Sequence, residues 1–427
     1  MFKVESVRLL DPSQNLDQIV DVLVNEGVIV EIQDPGSKAP AGSKVIEGQG
    51  LCMSPGFVDM HVHFRDPGQL HKEDLETGSQ AAVAGGYTSV MCMPNTLPAI
   101  DSVDTVAYIL DKAKKIDLCK VYPVGAVSKS LMGKDLSPIE DLARAGCVAF
   151  SDDGKPVEDT ALLRKALLRT KALNMPLIEH CEENDLSRAL VTIHEGEVAS
   201  KLGLKGISTS AETVDVARLI ALSFETGAKV HLAHLSCGQS IEFLQSIRGM
   251  KHQITSEVTP HHLLLTDQVI EDIGTLGKMY PPLRTQWDCD QMVLGLREGL
   301  IDAVATDHAP HTEKEKSVEF SKAPNGVIGL ETALTVLLDL VSSKKIELLS
   351  LIRSMSTRPA EILGLRAGSL AKGMPADFVL FSLDEEVSFA RTRFASRSQN
   401  TPFRNFVGKG KIKATFVGGR EVYSNWN

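Results

Sequence analysis

The sequence predicts an α/β protein in which a (β/α)8 TIM-like barrel adjoins a small β-sandwich domain formed by both termini. Two observations support this prediction. Compact strand-like runs alternate with helical stretches across residues 55–369, as βα units around a parallel sheet do. Short β-type runs fill residues 1–54, and the same texture returns in residues 370–427. The 427 residues therefore divide into one barrel and one terminal domain.

The N-terminal part of the small domain, residues 1–54, contains alternating or apolar runs broken by Gly, Pro and Asn. This is the pattern of short antiparallel strands. The runs are VESVRLL, IVDVLVNEGVIVEI and KVIEGQGLCM. Because so short a segment cannot bury a large core alone, we expect it to pair with another part of the chain.

The barrel segment, residues 55–369, supplies eight strand candidates: GFVDMHVH, YTSVMCM, KVYPVGAV, CVAFSDD, PLIEHC, KVHLAHLS, QITSEVT and DAVATDH. Helix-compatible stretches such as VDTVAYILDKAKKI and TALLRKALLRTKALN lie between them. A doubly wound open sheet is the competing architecture. It loses support in its nucleotide-binding forms because no GxGxxG or GxxxxGK[ST] follows any strand candidate.

The C-terminal part of the small domain, residues 370–427, again has β texture, in ADFVLFSL and KIKATFVGGREVY. Neither end of the chain buries much apolar surface by itself. We therefore expect both ends to pair into one small β domain beside the barrel, in preference to two independent domains.

Composition excludes several functions. The chain has 55 acidic against 45 basic side chains and a formal charge of -10, so it lacks the basic footprint of a nucleic-acid or membrane-surface protein. No apolar run approaches the ~18 residues of a membrane helix, and the start lacks a signal peptide's apolar stretch. Seven scattered cysteines, an odd number, fit a reducing compartment. We expect a cytoplasmic protein.

Metal-ligand residue types gather at the ends of the strand candidates. His61 and His63 lie two apart on strand 1, hence on one face and close enough to share a metal. Because the reactive groups of a parallel barrel meet at the C-terminal ends of its strands, this distribution predicts a divalent cation site. The other strand-end residues are Asp152 and Asp153, His180, His231 and His234, and Asp307 and His308.

Strand parity narrows these choices. His231 and His234 are three apart and point to opposite faces of a regular strand, so we expect His234, nearer the strand end, to be the ligand. His231 is then a structural residue on the helix side. Asp152 and Asp153 cannot both point inward, and parity does not choose between them. Asp307 suits a ligand and base role, with His308 in a supporting one.

The motifs GFVDMHVHFRDPG, MCMPNT, FSDDGKP, EHCE, HLAHLS, SEVTPHHLLLTD, PPLR, ATDHAPHT, GSLAKGMPADFVLF and SQNTPF together resemble those of the bacterial class I dihydroorotases, within the cyclic amidohydrolases. They are spread over nearly the whole chain. The combination of HxHFRDPG with MPNT is more selective than HxH alone, which marks the wider amidohydrolase group.

The resemblance implies a Zn²⁺ site with one or two ions per subunit. His61, His63 and Asp307 would hold one ion, and His180 and His234 the second. Asp153 would bridge them, where hydantoinases and other dihydroorotases are expected to use a carboxylated lysine. Arg65, Asn95 and His311 would hold the substrate's α-carboxylate.

The reaction implied is the reversible cyclisation of N-carbamoyl-L-aspartate to L-dihydroorotate and water in pyrimidine (UMP) synthesis. A metal-bound hydroxide would attack the ring amide, with Asp307 as general acid and base. The chain departs from the family pattern at Tyr280, where we expect Asn, and at Asn325, where we expect an aromatic residue. Both positions lie near the expected substrate pocket.

Two alternatives remain at this point. One is a hydantoinase or allantoinase activity, which the FRDPG string and the lack of an evident bridging lysine on strand 4 count against. The other is a catalytically silent subunit that scaffolds aspartate transcarbamoylase, which the complete set of ligand residues counts against. A homodimer and an association with aspartate transcarbamoylase are the candidate assemblies.

Overall fold

The computed structural model describes residues 1–251 and 253–426. Its strands are β1 (Phe2–Asp11), β2 (Leu16–Asn25), β3 (Val28–Gln33), β4 (Lys44–Glu47), β5 (Cys52–Pro55), β6 (Phe57–Val62), β7 (Tyr87–Cys92), β8 (Lys120–Ala126), β9 (Ala149–Ser151), β10 (Leu177–His180), β11 (Val230–Ala233), β12 (Ile254–Val258), β13 (Ala303–Val304), β14 (Phe378–Ser388), β15 (Val407–Val417) and β16 (Arg420–Ser424). Its α-helices are α1 (Leu75–Ala84), α2 (Val103–Ile116), α3 (Ile139–Ala145), α4 (Thr160–Ala172), α5 (Glu197–Lys201), α6 (Ser210–Thr226), α7 (Gly238–Ser246), α8 (Pro260–Leu264), α9 (Ile270–Ile273), α10 (Gln286–Arg297), α11 (Glu313–Lys316), α12 (Ala333–Ser342), α13 (Leu348–Ile352) and α14 (Arg358–Leu363).

The strands β6 to β13 form the predicted parallel barrel, in which each strand neighbours the next in chain order. Each of the eight predicted runs contains one of these strands. The barrel closes where the first and last strands meet, because the His63 amide donates to the His308 carbonyl at 2.8 Å and Val62 pairs with His308. The (β/α)8 prediction is confirmed.

Both ends of the chain join in one sheet, with the strand order β16-β15-β14-β5-β1-β2-β3 and β4 paired to β1. The two ends meet where β14 runs antiparallel to β5. Phe378 and Phe416 stack at 4.4 Å between ring centroids in the core of this sheet. The prediction that the termini build one small β domain is confirmed, and its strands form a continuous mixed sheet. The boundaries at residues 54/55 and 369/370 stay predictions.

Side chains alternate between two cores along the barrel strands. Ala233 and Ile178 pack inside the barrel with Met60 and Met91, whereas Leu177 and Leu232 pack outward against the helices. Successive side chains of a strand point to opposite faces, so strands such as β10 and β11 contribute to both cores. The interior positions that remain near the C-terminal strand ends are polar, which is where the candidate site lies.

Polar caps set the ends of the helices that follow these strands. The Asp74 side chain accepts hydrogen bonds from the first turn of α1, and Thr77 completes a capping box. Ser102 caps α2, which ends at Asp117 in the left-handed region. Within the part of the chain that the structure describes, no helix combines the length and apolarity needed to cross a bilayer.

Candidate metal centre and substrate pocket

Five barrel strands bring six buried His and Asp side chains together at one end of the barrel. His61 lies in β6 with His63 just beyond it, and His180 ends β10. The others follow β9, β11 and β13 directly or within three residues. Each is at most 6% exposed: His61, His63, Asp153, His180, His234 and Asp307. The structure thus gathers every ligand residue that the sequence predicts.

One group of ligand atoms surrounds His61 and His63. His61 Nε2 lies 3.3 Å from Asp153 Oδ1 and 3.7 Å from Asp307 Oδ1. His63 Nε2 lies 3.0 Å from Asp307 Oδ1 and 3.5 Å from Asp153 Oδ2. Two imidazole nitrogens and two carboxylates therefore face one small space.

A second group shares the Asp153 carboxylate. Its Oδ1 lies 3.9 Å from His180 Nδ1 and 3.6 Å from His234 Nε2, and these two nitrogens are 3.0 Å apart. The ligand atoms offered by His61, His63 and Asp153 lie within 4.8 Å of one another, as do those of Asp153, His180 and His234. Asp153 belongs to both triads, the position of a bridging ligand.

The residues present fit a bound divalent metal. Among the residues that the structure describes, His61 Nε2 and Asp153 Oδ1 are buried polar atoms without a hydrogen-bond partner, and both face the space between the ligands. Orphaned buried acceptors are rare in folded proteins because they lose their contact with water. Imidazoles with carboxylates are the ligand set that Zn²⁺ takes in catalytic sites.

The electrostatics of the centre also suit a cation. Burial lowers the pKa of His61, but the carboxylates of Asp153, Glu257 and Asp307 together outweigh burial, and the pKa is raised well above its ordinary value. Burial raises the pKa of Asp153, yet His61 and its other imidazole neighbours hold it well below the usual range. The pocket thus stabilises positive charge. Imidazole binds a metal in its neutral form, so the ion would replace these protons.

Supporting hydrogen bonds orient the first two imidazoles. His61 Nδ1 donates to Glu257 Oε1 at 3.0 Å, and the other oxygen of Glu257 lies 3.1 Å from His231 Nε2. His63 Nδ1 donates to Asn95 Oδ1 at 2.8 Å, while Asn95 Nδ2 donates to Asp153 Oδ2 at 3.2 Å. Such contacts set the tautomer and direction of a metal-binding imidazole.

His180 has its own carboxylate neighbour. Glu182 Oε2 lies 3.7 Å from His180 Nε2 and also accepts a hydrogen bond from the Tyr280 hydroxyl. The Tyr280 ring packs on the imidazole of His180 with centroids 4.7 Å apart. Tyr280, where we expected Asn, therefore contacts the candidate metal centre and lines the adjoining pocket.

Sequence reasoning gave no role to Glu257 or Glu182. Glu257 lies near the end of the strand-7 run QITSEVT, and Glu182 follows His180 by two residues. Each had the signal of a carboxylate at a strand end. The sequence does not show which imidazole each of these carboxylates approaches.

The structure separates the two neighbouring aspartates that strand parity left open. Asp152 accepts hydrogen bonds from the Val127 and Ser128 amides and from the Ser128 hydroxyl, so it holds the loop after β8. Asp153 turns into the centre. His308, also at a strand end, contacts Glu73 at 3.3 Å and supports the site from outside.

The predicted orientation of the His231 side chain is wrong. We expected this residue on the helix side, but it contacts Glu257 and shares the interior parity of Ala233. His234 comes after the end of β11 and has a φ of 29°, a left-handed conformation that turns it into the site. Regular alternation stops where the strand stops, so both His231 and His234 face the interior.

A pocket of about 170 Å³ opens beside the metal centre. Arg65 lines it with Asn95 and Asn325, and Arg65 Nη2 lies 3.4 Å from His311 Nε2. His311 Nε2 donates to the Asn325 carbonyl at 2.8 Å. The pocket suits a small anionic molecule, because the Arg65 guanidinium and the candidate metal centre supply its positive charge. A larger groove of about 980 Å³ is lined by none of the six ligand residues in the described part of the chain.

Comparisons with known proteins find relatives along nearly the whole chain. A family model described as dihydro-orotase-like matches residues 50–240. The dihydroorotase of Citrifermentans bemidjiense is 43% identical over 420 residues, 98% of this chain and 99% of the relative. That of a Sulfurihydrogenibium species is 42% identical over 423 residues, 99% of this chain and 100% of the relative.

Solved structures agree with the fold. An L-hydantoinase (dihydropyrimidinase) from Arthrobacter aurescens superposes with a TM-score of 0.88 at 25% identity, over 99% of this chain and 96% of that chain. A dihydropyrimidinase from Brevibacillus agri superposes with a TM-score of 0.86 at 22% identity, over 99% and 95% of the two chains. At 22% identity, the similarity to the Brevibacillus agri enzyme concerns the fold alone.

Proposed function

The chain belongs to the dihydroorotase family of metal-dependent cyclic amidohydrolases, and from this premise we propose how its residues perform the reversible cyclisation of N-carbamoyl-L-aspartate to L-dihydroorotate and water. One observation carries the proposal: the Asp153 carboxylate is common to two ligand triads and has a buried oxygen without a hydrogen-bond partner. We propose that the triads bind Zn²⁺, one or two ions per chain, with Asp307 completing the group around His61 and His63.

The ions supply Lewis acidity when bound: they lower the pKa of water toward ~7 and polarise the amide carbonyl. The chain's own residues move the proton. In the hydrolytic direction an Asp307 carboxylate oxygen takes the proton of the attacking water. Asp307 then gives it to the ring nitrogen as the carbon–nitrogen bond breaks. In cyclisation the same carboxyl takes the proton from the carbamoyl nitrogen and returns it to the departing hydroxide, which leaves as water, while the reacting carboxylate takes its other proton from solvent.

The substrate's α-carboxylate is assigned to Arg65, Asn95 and His311. Arg65 stays charged when half-buried and offers a planar pair of donors that matches a carboxylate. Asn95 contacts both His63 and Asp153, so it connects the proposed carboxylate-binding residues to the metal centre. Tyr280 and Asn325 line the same pocket, and they are the positions where this chain's substrate contacts differ from the family pattern.

The family membership supports dihydroorotase activity over hydantoinase or allantoinase activity. The complete ligand set supports an active enzyme over a silent scaffold of aspartate transcarbamoylase. We keep a homodimer and an association with aspartate transcarbamoylase as proposed assemblies. All seven cysteines lie in the described part of the chain, where they are buried and free, and this supports the proposed cytoplasmic location.

Metal analysis of the purified protein, combined with turnover of carbamoyl aspartate, dihydroorotate, hydantoin and allantoin, tests the function. We expect one or two zinc ions per chain and turnover of the first two compounds. Bound zinc without their turnover would instead favour a scaffold or another substrate.

The pH dependence of the equilibrium checks the reaction independently. Cyclisation converts a dicarboxylate into a monocarboxylate and consumes a proton. The ratio of ring to open chain should therefore rise about tenfold per unit decrease in pH near neutrality, by mass action on that one proton. A ring yield that rises with pH would contradict the assignment.

A further inference from the structure

We propose that Asn400, in the loop between β14 and β15, is a positioning residue that sets the substrate-facing wall of the pocket. The wall is carried by two segments, residues 309–311 after β13 and residues 325–326, of which Ala309, Asn325 and Gly326 line the pocket. Asn400 belongs to the SQNTPF motif, which lies in the C-terminal part of the chain and supplies none of the proposed metal or substrate contacts. The inference rests on the proposed role of His311 in binding the substrate carboxylate.

The Asn400 side chain joins the two segments of the wall. Its Oδ1 accepts a hydrogen bond from the His311 amide at 3.1 Å. Its Nδ2 donates to the Gly326 carbonyl at 3.1 Å and to the Ala309 carbonyl at 3.4 Å. Asn400 is 3% exposed, so water cannot readily replace these bonds.

The two segments are in direct contact at the point that Asn400 bridges. Gly326 has a φ of 127°, and a Cβ built on it would lie 2.7 Å from the Ala309 Cβ and 2.8 Å from the Ala309 carbonyl oxygen. This close approach means that a small shift of either segment moves the other. Both Ala309 and Gly326 also line the substrate pocket, so the shift would reach the substrate.

The loop that carries Asn400 is itself anchored to the barrel. The Glu331 carboxylate accepts hydrogen bonds from the Ala395 and Ser396 amides, at 2.9 and 3.0 Å. The Ser398 hydroxyl donates to the Lys72 carbonyl at 2.7 Å. Glu73, which contacts His308, accepts from the Arg397 amide at 3.1 Å. Asn400 is thus held in place from several sides, as a group that positions another must be.

Asn400 acts on the substrate side of the pocket and not on the metal side. Its side-chain bonds go to His311, Ala309 and Gly326, and within the described residues it makes no hydrogen bond to any of the six proposed ligands. A merely structural role would lower stability, metal content and kcat together. A positioning role predicts a change in KM with the metal retained.

Steady-state kinetics of Asn400→Ala in both reaction directions tests this, with zinc content and melting temperature measured on the same samples. We expect KM to rise about tenfold while kcat changes less than about threefold, since misplaced binding groups weaken the substrate complex. Zinc content should equal that of the parent. Asn405→Ala is the matched control, because Asn405 is an exposed asparagine of the same loop; its KM should not change.

Asn400→Asp provides a second variant in case the alanine variant does not fold. It keeps the acceptor for the His311 amide but turns a carboxylate oxygen toward the Gly326 and Ala309 carbonyls, so we expect an increase in KM at least as large as that of the alanine variant. An unchanged KM in the folded Asn400 variants would overturn the proposal. So would a loss of zinc and kcat at constant KM.

The double variant Asn400→Ala/His311→Ala separates this inference from the proposed function. If Asn400 positions the His311 side chain as well as the rest of the wall, the KM of the double variant should lie below the value obtained by multiplying the two single effects. Fully additive effects would overturn the role of Asn400. A parental KM in His311→Ala would instead overturn the proposed substrate role of His311, leaving the metal assignment untouched.

Discussion

The metal half and the substrate half of the pocket are built in different ways. In the metal half each ligand lies at or just beyond the end of a barrel strand, and a neighbour such as Glu257, Asn95 or Glu182 lies against the imidazole. In the substrate half Arg65 and His311 belong to loops, and the backbone of His311 is held by Asn400 from the distant C-terminal segment.

This difference separates what each half controls. The barrel strands set the distances between the proposed metal ligands. The geometry of the metal centre therefore depends on the packing of neighbouring strands. The loops depend on particular long-range contacts. Substitutions in the metal half should therefore change metal content and kcat, whereas substitutions in the substrate half should change KM. The following predictions test that division, from the largest effect to the smallest.

Asp153→Ala should have the largest effect, because Asp153 is the residue common to both ligand triads. We expect zinc to be lost and activity to fall below detection, while the circular dichroism spectrum is retained. Asp152→Ala is the contrasting control. Asp152 holds the loop after β8, so its loss should cost about 1–3 kcal/mol of stability with zinc still bound. Retained zinc and activity in Asp153→Ala would contradict the proposed division between the metal half and the substrate half of the pocket.

Asp307→Ala should keep the fold and lower kcat by about a thousandfold, since it removes the proposed proton carrier. Single-turnover measurements on samples reconstituted with zinc distinguish this loss from a loss of metal. We expect no comparable loss in a variant of the neighbouring His308, because its imidazole contacts Glu73 and the Gly329 amide and, within the described residues, makes no hydrogen bond to a ligand side chain. Activity of Asp307→Ala comparable to the parent would refute the mechanism.

Glu257→Gln should weaken zinc binding by about 10–100-fold, because the carboxylate that orients His61 loses its charge. Competition with a chelator gives the affinity directly. At saturating zinc most of the activity should return. The parental affinity in this variant would show that His61 does not need its carboxylate partner.

Arg65→Ala should raise KM by about tenfold or more with zinc content unchanged, since it removes the paired donors for the substrate carboxylate. Arg65→Lys should recover only part of the loss, because a lysine is a point charge without the planar pair. Loss of zinc from either variant would mean that the two halves of the pocket are not independent.

Local pattern was sufficient for the architecture and for most of the proposed metal ligands. The eight strand runs, the helices between them and the β texture of both ends are properties of short stretches, and all of them appear in the structure. His61, His63, His180 and Asp307 could be selected because the C-terminal ends of parallel strands converge. The choice of Asp153 over Asp152 came from family resemblance, since parity alone could not make it.

Only the tertiary structure decided which distant groups meet. Glu257 reaches His61 across 196 positions of the chain, and Asn400 reaches the His311 amide across 89. His231 faces the barrel interior and contacts Glu257. His234 also faces the interior, because it follows the end of β11 and adopts a left-handed φ, and a periodic pattern cannot predict where a strand ends. The sequence by itself determined a barrel with candidate metal ligands at its strand ends, because alternation and residue type are local. The supports of those ligands and the wall of the substrate pocket depend on contacts that exist only after the chain has closed on itself.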